Sequence, residues 1–540
     1  IKPEIIQGKV LVSGENEIEI EGYGMLPLHE DYRIYKVYGN LAMEKTNNIL
    51  VGYSVTDFVV SEGKVCAALI KEKVIADNIR VLINTTGYQS LYHKSVTFTS
   101  EDAFIINDGK HKVEFPAGEE VTVSAGCKLL QNGRIKVEST AEEGKIALTS
   151  ISRNYGIPKY RGSIEIAETE KGLTVVNELS IEEYLYSVVP SEMPTSYGSE
   201  ALKVQAVCAR SYAFKQLMAN KYSAYGAHVD DSVNCQVYNN VEENEESILS
   251  VKDTYGQVLT ADGNVITAYY FSTSCGTTAN VEDVWEDSAA SSYLTGTLQT
   301  EEKIHVDLSG EQQFRDFISQ DLVNVTVGNK STLKKMDTFD SGFLMYRWNV
   351  TFDIETLSKQ INKLLASQYN TSTSSILTYV GKATDEEVAV ADYKNRRIVN
   401  DLVFANKPIK SIGTVREIYV TQRGSSGIVK ELIVIGTEKT ILLRYQGNIR
   451  SFFAPKDAEV TRLDGSVIRG MSLLPSAFCI FDPIMNDGKL SAYRITGGGF
   501  GHGVGMSQNG VKTMTKLGMT YEQILSHYYT DSSITVIYDK

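Results

Sequence analysis

Pro190-Ser191-Glu192-Met193-Pro194 sets one carboxylate between two prolines. Proline removes a backbone donor and restricts the residue before it, so rigid, non-helical chain is expected there. The neighbours Val188, Val189 and Met193 are apolar. A carboxyl held against apolar side chains keeps its proton to higher pH and can act as a proton donor near neutrality. A surface glutamate in an ordinary turn accounts for the same residues.

Arg210 is the next such residue. Ala206 and Val207 lie one helical turn before it, and Ala213 and Phe214 one turn after. Helical neighbours fall at three and four residues, which puts the guanidinium in an apolar stripe. A buried charge needs an anionic partner or a ligand. Glu192, just upstream of this helix, is the candidate partner, either as part of a catalytic site or as a purely structural pair.

Two further stretches offer chemistry. "GGGFGHGVGMSQ" carries His502 among glycines, with Ser507 and Gln508 entering a helix. It lacks the spacing of dinucleotide-binding and P-loop motifs, so no nucleotide phosphate is implied. So many glycines mean unusual backbone, or backbone that something approaches closely. His502 is either a packed turn residue or a ring presented in a cleft. "YYFSTSCGTTANVEDVW" supplies the hydroxyls of Ser272, Thr273 and Ser274, then Glu282, Asp283 and Trp285. Ser–His–Asp catalysis finds no support, since no G-x-S-x-G elbow is present.

These residues need elements to position them. Residues 1–76 read as short strands and turns, an accessory β-region. Strands continue to "GLTVVNEL". Ser180-Ile181-Glu182-Glu183 has the form of a capping box opening a short helix, Ile181 to Val188, that Pro190 ends. A longer helix is expected from Ser199 to Asn220. The segment 77–300 reads as the first part of a core carrying Glu192 and Arg210. Residues 301–410 read as a divergent insertion with two amphipathic helices and a polar loop, "NTSTSS", at 370–375. From 411 to 540 the core resumes, with a hairpin in "REIYVTQRGSSGIVKELIVIG", the glycine turn, a helix from Ser507 to about Lys516, and a last helix opened by Thr520-x-x-Gln523. The fold class expected is α+β with antiparallel sheet predominant and a cleft at a helix–loop junction, to which the glycine turn and "STSC" contribute.

Composition narrows the partners. The 540 residues include 53 basic and 67 acidic side chains, a net charge of 53 − 67 = −14. That balance argues against nucleic acid and against docking on anionic membranes, because both need clustered cations. Hydrophobic residues at 42% fit a folded chain and argue against disorder of its bulk. No apolar run reaches the ~18–20 residues that cross a bilayer. The start at Ile1 shows no charged n-region and apolar h-region, so an export signal or anchor is expected to have been removed or never to have existed. The six cysteines form no C-x-x-C pair and read as small buried hydrophobes, Cys208 most clearly.

Taken together and in this order, "NIRVLI", "YRGSIEI", "GLTVVNELSIEEYLYSVVPSEMPTSYGSEALKVQAVCARSYA", "YYFSTSCGTTANVEDVW", "SSYL" and "GGGFGHGVGMSQNGVKTMTKLGMTYEQILSHYY" resemble the SpoIID/LytB family, the stage II sporulation protein D and amidase-enhancer group. The resemblance runs from Asn78 to Val536, broken at about 300–410, and leaves the first ~75 residues uncovered. It implies an extracytoplasmic protein, in the cell wall or anchored on the outer membrane face, directed at peptidoglycan. It also implies a lytic transglycosylase acting on glycan strands stripped of stem peptides, with Glu192 as the catalytic glutamate and Arg210 as the essential arginine. His502, Ser274, Tyr293, Ser507, Gln508 and Tyr212 fall in the matching stretches as substrate-binding candidates. Neither cofactor nor metal is implied. Some sporulation members carry a Cys-x4-His-Cys zinc motif where this chain has Val229, Asn234 and Cys235. His228, Cys235 and Cys275 remain as ligand types, short of the about four ligands of a closed zinc site. Thr295 stands where the family tends to have Lys or Arg after Tyr-Leu. The alternative within the family is a non-catalytic wall-binding module or amidase enhancer, with other wall hydrolases or sporulation proteins as partners.

Overall fold

The computed structural model describes residues 3–45, 48–286, 288–302, 304, 306–327, 330–368 and 374–538. Of the loop expected at 370–375, residues 370–373 lie outside the described residues. Contacts gather into two units, Ile1–Ala268 with Ser533–Lys540, and Tyr269–Ser532. The boundary therefore falls inside the segment 77–300.

The first unit opens with a seven-stranded sheet within residues 4–70, whose alternating Ile6, Val10, Ile18, Ile20, Phe58 and Val65 form its core. A second seven-stranded sheet runs in the order Lys112–Phe115, Phe104–Asn107, Arg134–Ser139, Ser163–Thr169, Gly172–Ser180, Asn78–Leu82, Val229–Asp230. Only the last pairing, Val229 opposite Val81, is parallel. Period-2 alternation gives this sheet two unlike faces. Ile79, Val81, Ile135, Val137, Ile164, Ile166, Val175 and Leu179 share one buried face, apolar there but for Asn177.

The other face carries Arg80, Arg134, Glu165 and Glu178, and it too is covered. Lys9 and Glu19 of the N-terminal sheet meet it, Lys9 on Glu178 and Glu19 on Arg134. Arg80 bridges Glu165 (2.5 Å) and Glu178, and Arg134 also reaches Glu165. Three cations thus face three anions, as burial of charge requires. The N-terminal region read as accessory is built into the unit through these pairs.

Three helices follow. α1 spans Ile181–Glu192, α2 Ser199–Ala219 and α3 Glu245–Asp253. Ser180 ends a strand in register with Asn78, and its hydroxyl caps the Glu183 N–H at 3.2 Å. The Glu183 carboxylate accepts from that hydroxyl at 3.0 Å rather than from the Ser180 N–H, so the capping box is half formed. At Thr520 and Gln523 both halves are present. α2 ends on Asn220 in the left-handed region, φ 53°, close to the expected boundary.

In the second unit a six-stranded and a five-stranded sheet dominate, and the expected hairpin is Val415–Arg423 against Val429–Gly436. The class is α+β with antiparallel pairing predominant. No helix among the described residues is long and apolar enough to cross a membrane.

Candidate active site

Pro190 does not end α1. The helix runs through it to Glu192, because a proline this near the C-terminus costs one backbone bond without stopping the last turn. Met193, the residue before Pro194, is the one driven extended, at φ −131° and ψ 127°. Glu192 is therefore the final helical residue, and the non-helical backbone expected at it begins one residue later. Its half-buried side chain lies in an open cleft of about 420 Å³ lined by Pro190, Ser191, Met193, Pro194, Val241 and Asn244 among others. One carboxylate oxygen accepts the Val237 N–H at 2.6 Å. Next to it, the Ser191 hydroxyl accepts the N–H groups of Asn240 (3.0 Å) and Val241 (3.1 Å) and donates to Ser187 (2.6 Å). The chain 237–241 is thus stitched to the end of α1.

Arg210 is fully buried, as its apolar stripe implies, but its ion-pair partner is Glu182 rather than Glu192. Nε and Nη2 each reach a Glu182 oxygen at 2.7 Å, and Nη1 donates to the Gln257 carbonyl at 3.0 Å. Glu182 also accepts from the Tyr538 hydroxyl (2.7 Å) and the Gly256 N–H (3.3 Å). Such a bidentate, fully enclosed pair is the strong, geometry-fixing kind. It ties α2 to the first turn of α1, the helix whose last residue is Glu192. Arg210 is thereby fully enclosed, with its guanidinium bonded to Glu182 and the Gln257 carbonyl. Tyr212, two residues on, is half-buried in the same unit.

In the second unit the two expected stretches do come together. Tyr270–Phe271 pairs in parallel with Met506–Ser507, and Thr273 exchanges backbone bonds with Phe500. The glycines have a local reason. A Cβ on Gly505, φ 76°, would sit 2.1 Å from the Tyr269 carbonyl, and one on Gly499, φ 82°, 2.9 Å from that of Thr273. What approaches these two glycines so closely is the stretch 269–275 of the chain itself, which ends in "STSC".

His502 is half-buried among Trp285, Phe271 and Tyr269, with ring centroids 5.1, 5.6 and 6.0 Å away. Loss of solvent, and then the charge of Arg450, push its pKa down to about 4. Its Nδ1 accepts the Val504 N–H at 3.1 Å. A neutral ring in an aromatic surround is suited to holding a ligand rather than to acid catalysis near pH 7.

Ser274 and Ser507, expected as substrate contacts, are buried side chains. Both are buried around the carboxylate of Asp340, which accepts the Ser274 hydroxyl (2.7 Å), the Ser274 N–H (2.9 Å) and the Ser507 hydroxyl (2.5 Å). Burial raises the Asp340 pKa to about 6 against these three bonds. Asp340 comes from the segment read as a divergent insertion and was missed, since no motif marks it. Tyr293 and Gln508 stay half-buried in this unit. Asp283 is committed to Lys430 at 2.5 Å.

His228, one of the remaining ligand types, and Asn234, at a motif position, are both hydrogen-bonded. The His228 ring bonds the Arg80 N–H (3.0 Å) and the Val51 carbonyl (2.9 Å), and burial pushes its pKa down to about 3. Asn234 reaches Asp230 at 3.3 Å. Cys275 belongs to the second unit. Of the cysteines read as buried, Cys208, Cys275 and Cys479 are so, and Cys66, Cys127 and Cys235 are half-buried.

The architecture is thus that of an α+β chain with a carboxylate at a helix end, backed by a buried arginine clamp. Residues 169–261, which hold that carboxylate and the clamp, match the family described as Stage II sporulation protein. Residues 390–505 match a domain of unknown function, DUF8618. The Amidase enhancer of Bacillus subtilis is 26% identical over 353 residues, covering 65% of this chain and 40% of that protein. Stage II sporulation protein D of Bacillus subtilis is 33% identical over 170 residues, 29% of this chain and 46% of its own length. The homonymous Bacillus amyloliquefaciens protein is 33% identical over 174 residues, 29% and 47%. These matches support the SpoIID/LytB family, and the chain spans less than half the length of each of these relatives.

Proposed function

We propose that this protein is an extracytoplasmic, cell-wall-directed lytic transglycosylase. It cleaves the bond between N-acetylmuramic acid and N-acetylglucosamine in glycan strands lacking stem peptides. The observation that carries the reading is Glu192: a half-buried carboxylate on the wall of an open cleft, with one oxygen held by a backbone N–H. Protonated Glu192 gives its proton to the bridging oxygen as the C1–O bond breaks. The carboxylate then takes the proton of the muramic acid 6-hydroxyl while O6 bonds C1, closing the 1,6-anhydro ring and restoring the acid. One carboxylate suffices, because no water has to be activated as in hydrolysis. Arg210 acts through Glu182 by fixing α1. His502, Trp285 and Tyr269 are the ligand-holding candidates of the second unit.

A second reading has its own support. The match that covers most of this chain is to a protein named Amidase enhancer. On that reading the chain holds glycan or a partner hydrolase without cutting. Mass spectrometry of products from stem-peptide-free strands, with wild type beside Glu192→Gln, separates the two. Anhydromuramic ends from wild type alone are expected. Bound but intact strands with both proteins establish the enhancer, and reducing muramic ends establish a hydrolase.

A further inference from the structure

Asp231 and Arg153 form an ion pair whose side chains are 0% and 1% exposed. Stability alone is a weak reason to keep such a pair, since apolar replacements of similar volume are often neutral or better. The surrounding geometry gives it another use. Asp231 Oδ1 accepts both the backbone N–H (3.1 Å) and the side-chain amide (2.7 Å) of Asn84. Arg153 donates to the Asn84 carbonyl at 2.8 Å. Both partners are therefore anchored to the chain leaving the strand Asn78–Leu82. Asp231 is also held through its backbone. Its N–H donates to the Leu82 carbonyl, and its carbonyl accepts the Tyr238 N–H, each at 3.2 Å.

That last bond closes the chain 231–238 on itself. Just before it, Asp230 accepts from the Ser232 N–H (3.0 Å), the Ser232 hydroxyl (2.8 Å), the Tyr222 hydroxyl (3.1 Å) and Asn234 (3.3 Å). Immediately before Tyr238 comes Val237, whose N–H meets Glu192.

We propose that the Arg153–Asp231 pair is a positioning device for Glu192, holding the loop 231–241 so that the Val237 N–H stays on its carboxylate. The proposal rests on Glu192 being the acid and base of the reaction. A donated N–H favours the charged carboxylate, so the pair sets how tightly Glu192 holds its proton. Groups in electrostatic reach of Glu192 include Tyr88 and Tyr184, both raised by burial and neutral near pH 7. The Tyr88 ring lies against the Arg153 guanidinium at 4.6 Å.

The test is the carboxyl titration of Glu192, followed by carbon NMR of glutamate-labelled protein without substrate. Asp231→Asn alone strands the Arg153 charge and is a folding risk. Arg153→Met with Asp231→Asn removes both charges and keeps the acceptor for Asn84. In this folded double variant the Glu192 pKa is expected to rise by about one unit, a tenfold change in proton affinity. Glycan cleavage is expected to lose about tenfold in kcat with KM unchanged, its alkaline limb moving up by the same unit. Arg153→Lys, which keeps the ion pair, restores most of the wild-type titration. An unchanged Glu192 titration in the folded double variant overturns the proposal. If wild type cuts no glycan, the proposed function falls, and the titration still decides this inference by itself.

Discussion

The end of α1 and the junction around Asp340 each set a carboxylate beside hydroxyls of the family stretches, yet they are built oppositely. At Glu192 the carboxylate is half-buried, one oxygen takes a backbone N–H, and a cleft of about 420 Å³ adjoins it. At Asp340 the carboxylate is fully enclosed and consumed by Ser274 and Ser507. The first arrangement leaves a group able to exchange a proton with a ligand. The second closes two chain segments over a charge. The difference shows that residue type and motif membership do not distinguish a site from its scaffold. Exposure of the reacting atom and the identity of its partners do.

The widest separation is expected in activity. Glu192→Gln keeps an oxygen for the Val237 N–H, so thermal stability should stay within about 0.5 kcal/mol. Glycan cleavage should fall by roughly 10²–10⁴, the usual contribution of a positioned acid. Residual cleavage above a tenth of wild type in the product assay would sink the comparison at its open end.

Arg210→Ala should break the other way. It leaves Glu182 buried without its ion-pair partner, a loss of about 3–5 kcal/mol from the first unit. Arg210→Met with Glu182→Leu, which removes both charges, should recover most of that in denaturant unfolding. A stable Arg210→Ala protein with lost glycan affinity would instead make Arg210 a ligand contact.

Acid sharpens the contrast through two buried carboxylates. The Asp340 pKa is raised to about 6, so its contribution is full below about pH 4 and is lost as pH rises through 6. That is roughly 3 kcal/mol across the second unit, and Asp340→Asn should abolish the slope. Glu178, despite the penalty of burial, is held down to about 2 by Arg80 and then Lys9. Its contribution is present above about pH 4.5 and is lost as pH falls through 2, again roughly 3 kcal/mol, and Glu178→Gln should remove that acid lability from the first unit. Urea midpoints measured across pH 2–7 for the three proteins check both signs.

Much of this was legible beforehand. The sequence around Glu192 marks a helix end, because Pro194 forces Met193 out of the helical region wherever the preceding turn lies. Pro190 misled, since a proline in the last turn of α1 removes one bond without ending it. The burial of Arg210 followed from its apolar neighbours. Its partner did not, because Glu182 meets it through the packing of α1 on α2 and no spacing rule links residues 28 apart. Asp340 carries no local signature. Its role exists only once the "STSC" and "GMSQ" stretches lie side by side and need an acceptor for their hydroxyls. The N-terminal strands were readable as strands, but not that Lys9 and Glu19 complete a charge set with Arg80, Arg134, Glu165 and Glu178.

The smallest effect tests the closed side of the comparison most directly. Ser274→Ala deletes one donor to Asp340 and also the acceptor of the Gly276 N–H at 3.2 Å. A hydrogen bond to a charged group is worth about 1.5–3 kcal/mol. That value applies only while Asp340 is ionised. At pH 7 the second unit should lose about 1.5 kcal/mol or more, whereas at pH 5 most Asp340 is protonated and the loss should shrink toward that of a neutral bond, about 1 kcal/mol or less. Glycan binding should not change at either pH, because the hydroxyl is spent on Asp340. Weakened binding with an unchanged unfolding midpoint would return Ser274 to the ligand and reopen the junction as a site.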